Sequence, residues 1–181
     1  MNTLEAIKAR QSIRTFHAQS VEQDKLNDLL DAANAAPIFG CIHLTVIENK
    51  ELIHSIGEIT KSKMLASGNE FAVQQASASN YNPTYNAPVF LVFSAKGGND
   101  NMGFNMGNVS CAAQNVLLAA TELGLASCFV MAPMMAFTDE NVFLKAGIPE
   151  DYIPLVGVCI GYSSQTASLK ERAAKDNVNF C

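Results

Sequence analysis

The chain has 181 residues, 49% of them hydrophobic, and carries 12 basic and 17 acidic side chains, for a formal net charge of -5. This length favours one domain over residues 1–181, and the acidic balance argues against nucleic acid or an anionic membrane as a partner, because both need a broad basic surface. No segment approaches the roughly 20 apolar residues of a membrane span, and the N-terminus has no signal-peptide core, so we expect a cytoplasmic protein.

The first part of the chain predicts two helices. Asn2 followed by Glu5 resembles a capping box and starts a short helix that runs to about Ala9. Ser20 starts the second helix, whose apolar residues recur with helical spacing and which Pro37 closes.

The next part is mixed in character. Residues 43–49 predict a strand, and residues 49–59 return to helical periodicity. The stretch 62–87 is polar and is broken by Gly68 and Pro83, so we expect a mobile helix and loop over a surface rather than core.

The second half contains the most apolar segments. Residues 88–95 form a continuous apolar run, which is typical of a strand buried on both faces, and residues 96–107 predict a loop. Residues 108–124 carry apolar side chains on nearly all sides and end at Gly124, which predicts a central helix. The remaining predicted elements are a short buried strand at 126–132, a helix at 138–147, a last buried strand at 153–162, and an extended or helical tail at 163–181.

The five cysteines form no C-x-x-C pair. Cys111, Cys128 and Cys159 lie in apolar runs, where a thiol usually acts as a small hydrophobic group. We expect these three and Cys41 to fill core or half-buried positions, and Cys181 to belong to the tail. A metal or redox role is the less favoured alternative.

Common catalytic signatures are missing from the sequence. There is no G-x-x-x-x-G-K-[ST] loop, no dinucleotide-binding G-x-G-x-x-G turn, no H-E-x-x-H and no serine nucleophile elbow. His17, His43 and His54 lack the spacing of metal ligands, so we predict no metal site. An enzyme with no evident acid, base, nucleophile or metal needs a cofactor that brings its own reactivity, and we therefore name no catalytic side chain.

Arginine is rare in this chain, and two of its three arginines lie four positions apart. "ARQSIRTF", residues 9–16, holds Arg10 and Arg14, and the third is Arg172. A guanidinium fits a phosphate bidentately, which lysine does not, so one interpretation is a phosphate site. The alternative is a pair of solvated charges beside a helix end, where they interact favourably with the helix dipole. Taken alone, the stretch favours the alternative.

The rest of the chain changes that balance. Six segments come in an order and approximate spacing that resembles the FMN-dependent nitroreductase family: "ARQSIRTF", "DAANAAP", "NAPVFLVFSA", "NVSCAAQNVLLAATELGLASCFV", "AGIPEDYIPLVGVCIGY" and "LKER". The resemblance runs from about residue 4 to residue 172. It implies an α+β, nitroreductase-like three-layer fold, in which helices wrap a mixed, mainly antiparallel central sheet. It also implies an intertwined homodimer with an FMN at each of two sites between the subunits.

The resemblance assigns a phosphate site to two parts of the chain. "RQSIR" resembles the family's R-x-S-x-R stretch, which implies that Arg10 and Arg14 hold the FMN phosphate. On the same resemblance, Gln11 and Ser12 add hydrogen bonds to the phosphate, the ribityl chain or the flavin edge. A late K-x-R element is matched by "KER" and implies two further phosphate ligands, Lys170 and Arg172.

Two other stretches are implied to lie near the flavin ring. "VMA" falls where family members set backbone amides near flavin N5 and O4, which implicates Met131 and Ala132; core packing is the alternative for Met131. "PIFGCIHL" departs from the family, since many relatives have a longer P-S-x-x-N-x-Q-P-W stretch that feeds the partner's flavin site. Pro37, Ile38 and Phe39 would then reach the partner's flavin through apolar contacts, and the substrate preference does not transfer.

The implied activity is that of an FMN oxidoreductase with two half-reactions. NAD(P)H gives a hydride to flavin N5 and leaves, and a flat electron-poor acceptor such as a nitroaromatic or a quinone takes its place, while solvent supplies the proton. Two alternatives stay open. The first is an FMN-binding storage or sensor dimer without turnover, which the altered "PIFGCIHL" stretch keeps possible. The second is a structural dimer that has lost the cofactor, although the four basic residues of the implied phosphate site argue against it.

Overall fold

An antiparallel sheet forms the centre of the computed structural model, which describes residues 2–97, 101–165 and 177–180. Its strands are β1 (Ile42–Ile47), β2 (Val89–Lys96), β3 (Ala126–Val130) and β4 (Tyr152–Gly161). The strand order is β1-β2-β4-β3, and each neighbouring pair is antiparallel. One parallel bridge joins Ser12 to Ser127 of β3, so the sheet is mixed but mainly antiparallel, as predicted.

Helices cover both faces of this sheet and make three layers. They are α1 (Thr3–Ala9), α2 (Gln23–Asn34), α3 (Lys50–Ala66), α4 (Glu70–Ala76), α5 (Met102–Glu122), a 3-10 helix (Ala132–Thr138) and α6 (Glu140–Ala146). On one face, α2 and α5 pack in a first core that includes Leu29 and Phe93. On the other, α3, the 3-10 helix and α6 pack in a second core that includes Ile56 and Phe90. Within the described ranges, no helix has the length and apolar character needed to cross a membrane.

Strand β2 supplies side chains to both cores. Phe93 and Leu91 belong to the first core, whereas Phe90 and Val92 belong to the second. Successive side chains of a strand point to opposite faces, so a strand covered on both sides has to be apolar throughout. The continuous apolar run at 88–95 is therefore correctly predicted as a strand buried on both faces.

Local signals account for the ends of α1 and α5. Asn2 caps α1 through both bonds of a capping box, since its side chain accepts from the Glu5 N–H and the Glu5 carboxylate accepts from the Asn2 N–H. Arg10 is the C-cap residue with φ -56 and ψ 124, so the chain leaves the helix in an extended conformation. Gly124 follows the end of α5 with φ 70, a left-handed conformation that favours glycine.

Two helix starts differ from the prediction. The N-cap residue of α2 is Glu22, without a side-chain capping bond, so Ser20 does not start this helix, and the helix ends before Pro37. Helix α5 begins at Met102, inside the stretch predicted as a loop. Met102 packs against the first core, and Asn105 is buried and donates to the Lys96 carbonyl at 3.4 Å, so tertiary contacts stabilise this additional turn.

The prediction for residues 62–87 is wrong in part. Helix α3 continues to Ala66 and α4 follows it, and Ala76 and Thr84 are fully buried, so this stretch contributes to the core as well as to the surface. The strand predicted at 126–132 ends at Val130, where the chain turns into the 3-10 helix.

Two of the four cysteines predicted to be core or half-buried are buried, and the other two are exposed. Cys128 and Cys159 are buried and lie opposite each other on β3 and β4, as fillers of the second core. Cys41 and Cys111 are exposed, which contradicts the predicted core or half-buried positions. Cys111 lies on α5, where Gly107 and Gln114, its neighbours along the helix face, are exposed as well. Cys181 lies outside the described residues.

Candidate functional site

Residues 10–16, which we call the arginine segment, run along the outer edge of β3. The Ile13 N–H donates to the Ser127 carbonyl at 3.0 Å, next to the bridge between Ser12 and Ser127. Just beyond the segment, the His17 N–H donates to the Tyr162 carbonyl at 2.7 Å. Backbone bonds at these two points attach the segment to the edge of the sheet.

The extended backbone of this segment sends alternate side chains to opposite sides. Ile13 is buried, and together with Gln11 it lines a cavity of about 150 Å³ that Ser127 and Ser163 also border. Gln11 thus lies on the inner side of the segment, and its predicted contact with the cofactor stays a prediction.

Ser12 and Arg14 are exposed and lie on the other side of the segment, where the same alternation puts Arg10. Cys128, next to the bridged Ser127, has a buried thiol. Burial raises the pKa of Cys128, while the charge of Arg14, a hydrogen bond with Ser12 and the charge of Arg10 each act to lower it. These electrostatic effects agree with the alternation of the extended chain, which puts Arg10, Ser12 and Arg14 on the same side of the segment. Together they offer two guanidinium groups and a hydroxyl, a donor set that suits a phosphate.

Arg14 lies beside an aromatic residue that the sequence analysis did not identify. Its Cζ is 5.9 Å from the centroid of the Tyr85 ring, and its Nη1 donates to the Ser12 carbonyl at 3.4 Å. Hydrogen bonding with the Tyr85 side chain raises the pKa of Arg14, and burial raises the pKa of Tyr85. "TYNAP" at 84–88 contains no pattern that points to such a contact.

Met131 and Ala132 follow the end of the same strand. Met131 is the N-cap residue of the 3-10 helix, and its side chain is 52% exposed, so it is not a core residue. Ser127 and Met131 are four strand residues apart, which corresponds to roughly 13 Å. The arginine segment and the backbone of Met131 and Ala132 therefore lie along one strand, in reach of one extended ligand.

Pro37, Ile38 and Phe39 lie elsewhere in the same chain. They precede β1, which is at the opposite edge of the sheet from β3. Ile38 packs against the first core, whereas Phe39 is 82% exposed and its ring centroid is 6.4 Å from that of Phe104. Within one chain, the structure does not bring these residues to the arginine segment.

The loop at Phe39 is anchored by Asn108, which the sequence analysis also missed. The Phe39 N–H donates to Asn108 Oδ1 at 3.1 Å, and Asn108 Nδ2 donates to the Phe39 carbonyl at 2.5 Å. Asn108 is only 8% exposed. The sequence does show an amide side chain in a helix that is otherwise rich in apolar residues. It does not show that the partner of this amide is the backbone of Phe39.

Lys170 and Arg172 lie outside the described residues. The described chain before them ends beside the arginine segment, because Thr15 Oγ1 is 3.4 Å from both Ser163 Oγ and Gln165 Oε1.

Comparison with known proteins gives consistent matches over the chain. The model of the Nitroreductase family matches residues 7–162. A Methanothermobacter thermautotrophicus protein named as an NADH dehydrogenase/NAD(P)H nitroreductase is 25% identical, and the match covers 99% of this chain and 87% of that protein. The NADPH-flavin oxidoreductase of Vibrio harveyi is 27% identical, over 94% of this chain and 70% of that protein.

Solved structures give the same result for the fold. A nitroreductase with bound FMN from Bacteroides fragilis matches with a TM-score of 0.85 and 28% identity, covering 100% of this chain and 98% of that one. A nitroreductase with bound FMN from Desulfitobacterium hafniense matches with a TM-score of 0.89 and 23% identity, covering 100% and 99% of the two chains. The predicted fold is thereby confirmed.

Proposed function

This chain belongs to the nitroreductase family, and we propose that it is an FMN-dependent oxidoreductase that uses NAD(P)H. The observation that carries the proposal is the exposed side of the arginine segment beside β3, where the alternation of the chain puts Arg10, Ser12 and Arg14 opposite the buried Ile13. Phosphate accepts charge-assisted hydrogen bonds from guanidinium groups, which are stronger than neutral ones. The donor set of this chain therefore fits the phosphate of FMN.

We propose that FMN extends from the arginine segment along β3. Its phosphate would bind Arg10, Ser12 and Arg14, and Lys170 and Arg172 would add charge from the chain that follows Gln165. At the other end, the backbone N–H groups of Met131 and Ala132 would face the flavin ring. Pro133 has no N–H, so these two amides are the donors available where the 3-10 helix begins.

A second copy of the chain would complete this site. Phe39 is 82% exposed and Phe104 is 69% exposed, which leaves two adjacent aromatic rings in water on a single chain. We propose a homodimer in which the loop at Pro37, Ile38 and Phe39 covers the partner's flavin with apolar groups. The loop would then restrict water access and shape the space for the acceptor.

The division of work between protein and cofactor follows from the residues present. Bound FMN would supply the redox chemistry, taking a hydride from NAD(P)H at N5 and passing it to a flat electron-poor acceptor such as a nitroaromatic or a quinone. The chain's own residues would hold the phosphate, orient the ring edge through backbone amides and keep the pocket apolar. The proton would come from solvent, so no side chain is assigned as acid or base.

The visible absorption spectrum of the purified protein, followed by anaerobic reduction, tests this function. We expect flavin bands that bleach on addition of NADH or NADPH and return when a quinone is added. Bound flavin that neither nicotinamide reduces would favour the storage or sensor dimer. Failure to bind flavin even after incubation with excess FMN would contradict the proposal. Light scattering that gave a stable 19.4 kDa species at micromolar concentration would contradict the dimer.

A further inference from the structure

Tyr85 has an unusual backbone conformation. Its φ is 54, and that of Asn86 is 53; among the described residues, these two are the non-glycine residues with positive φ. A bulky side chain disfavours the left-handed region, because its Cβ comes close to the following carbonyl oxygen. A residue held there needs surrounding interactions that fix it, and such positions often serve a site.

The turn around Tyr85 is fixed by side-chain hydrogen bonds. Asn82 Oδ1 accepts from both the N–H and the hydroxyl of Thr84, each at 2.8 Å, and Asn82 Nδ2 donates to Asn86 Oδ1 at 2.7 Å. Thr84 is fully buried, and its carbonyl accepts from the Cys159 thiol at 3.3 Å. These bonds attach the turn to β4, and the half-buried Tyr85 ring packs against the second core.

The Tyr85 ring lies next to Arg14. The guanidinium carbon lies 5.9 Å from the ring centroid, within the range of a cation–π contact. The hydrogen bond from Arg14 Nη1 to the Ser12 carbonyl is long, at 3.4 Å. An exposed arginine that is held by a fixed ring loses less rotamer freedom when it binds a ligand. A guanidinium has five N–H donors, so these contacts leave several for an anion.

We propose that Tyr85 is a positioning residue that holds the guanidinium of Arg14 toward an anionic ligand. The inference rests on the proposed function, in which that ligand is the phosphate of FMN. Tyr85 touches neither the phosphate nor the reacting atoms in this assignment, and it acts through Arg14. The competing explanation is that the half-buried ring only packs against the second core.

Titrations of the apoprotein with FMN and with riboflavin separate these explanations, because riboflavin lacks the phosphate. Loss of flavin fluorescence reports binding. We expect Tyr85→Leu to weaken FMN binding roughly three- to tenfold and to leave riboflavin binding unchanged. Tyr85→Phe keeps the ring and should fall between the parent and Tyr85→Leu. Tyr81→Leu, on the same segment but bonded to Met64 Sδ at 3.6 Å, is the matched control and should leave the ratio of the two affinities unchanged.

A double-mutant cycle with Arg14→Ala gives the decisive result. In the Arg14→Ala background, Tyr85→Leu should cause no further loss of FMN affinity. The same loss in both backgrounds, or equal losses for FMN and riboflavin, would overturn the inference. If Arg14→Ala weakens FMN binding and Tyr85→Leu does not, the role of Tyr85 is wrong and the phosphate site stands. If Arg14→Ala itself has no effect, the phosphate site is wrong, and this inference fails with it. Should Tyr85→Leu not fold, the same cycle is run with Tyr85→Phe.

Discussion

Asn108 is the residue whose removal most directly tests how the loop at Phe39 is held. Its side chain makes two hydrogen bonds to the backbone of Phe39, at 3.1 and 2.5 Å, from a position that is 8% exposed. Each bond contributes about 0.5 to 1.5 kcal/mol to the free energy of unfolding. Since Phe39 is highly exposed, water can replace part of what is lost. We therefore expect Asn108→Ala to lower that free energy by about 1 to 2 kcal/mol.

Asn108→Asp replaces the amide NH2 group by a carboxyl oxygen and makes the stability of the protein depend on pH. The carboxylate can still accept from the Phe39 N–H, but it faces the Phe39 carbonyl without a proton to donate. Protonation restores that donor, so the folded state raises the pKa of the new carboxyl above its ordinary value of about 3.9. The protonated carboxyl therefore stabilises the fold fully below its unfolded-state pKa, and this stabilisation is lost as the pH rises through its folded-state pKa. The difference in the free energy of unfolding between the parent and Asn108→Asp should grow between pH 4 and pH 7.

Urea unfolding of the apoprotein, followed by circular dichroism at one protein concentration, measures both effects without a contribution from flavin binding. Asn115→Ala is the matched control, because Asn115 lies on the same helix and makes one bond, to the Ala32 carbonyl at 3.0 Å. It should cost about half as much as Asn108→Ala. An Asn108→Ala variant with the parent's unfolding midpoint, or an Asn108→Asp deficit that does not change with pH, would refute this reasoning.

Three further predictions concern the phosphate site, the core and an exposed carboxylate. Arg10→Ala should weaken FMN binding roughly ten- to a hundredfold in a fluorescence titration, with Arg10→Lys recovering only part. Gly157→Ala would place its Cβ 2.5 Å from Cζ of the buried Phe90, so overpacking should lower the free energy of unfolding by about 1 to 3 kcal/mol; an unchanged urea midpoint would contradict this. The Tyr162 hydroxyl donates to the Glu22 carboxylate and lowers the pKa of Glu22 below 4.5. This hydrogen bond therefore stabilises the fold above pH 4.5, and the stabilisation is lost as the pH falls through the folded-state pKa of Glu22. Thermal melts of Tyr162→Phe should therefore lie below the parent at pH 7, and the difference should shrink as the pH falls below 4.5.

Local patterns predicted the elements whose cause is local. The capping box at Asn2 and Glu5 and the apolar run of β2 are complete within a few residues, and both are confirmed. The start of α5 is different, because Gly103 and Gly107 lower helix propensity there. Packing of Met102 against the first core overrides that preference, and packing between distant segments leaves no trace in a short window of sequence.

The same distinction applies to the candidate site. The R-x-S-x-R spacing has a two-residue period, so an extended chain alone places Arg10, Ser12 and Arg14 on one side. The structure has Ser12 and Arg14 exposed and Ile13, between them, buried. The contact between Tyr85 and Arg14 depends on the left-handed turn at Tyr85 and on the order of the strands in the sheet. No spacing rule relates residues so far apart in the sequence.

The position of the loop at Phe39 links cofactor binding to assembly. Its strand, β1, and the outer strand, β3, are opposite edges of the sheet with two strands between them, and the arginine segment lies beyond β3. In the proposed homodimer, Phe39 of one copy would instead contact the flavin held by the arginine segment of the other. A ligand that contacts both subunits binds the dimer more tightly than the isolated chain, and it stabilises the dimer by the difference between the two binding free energies. In the proposed assembly, a weaker phosphate contact at Arg10 thus weakens the dimer as well, although Arg10 need not lie at the subunit interface.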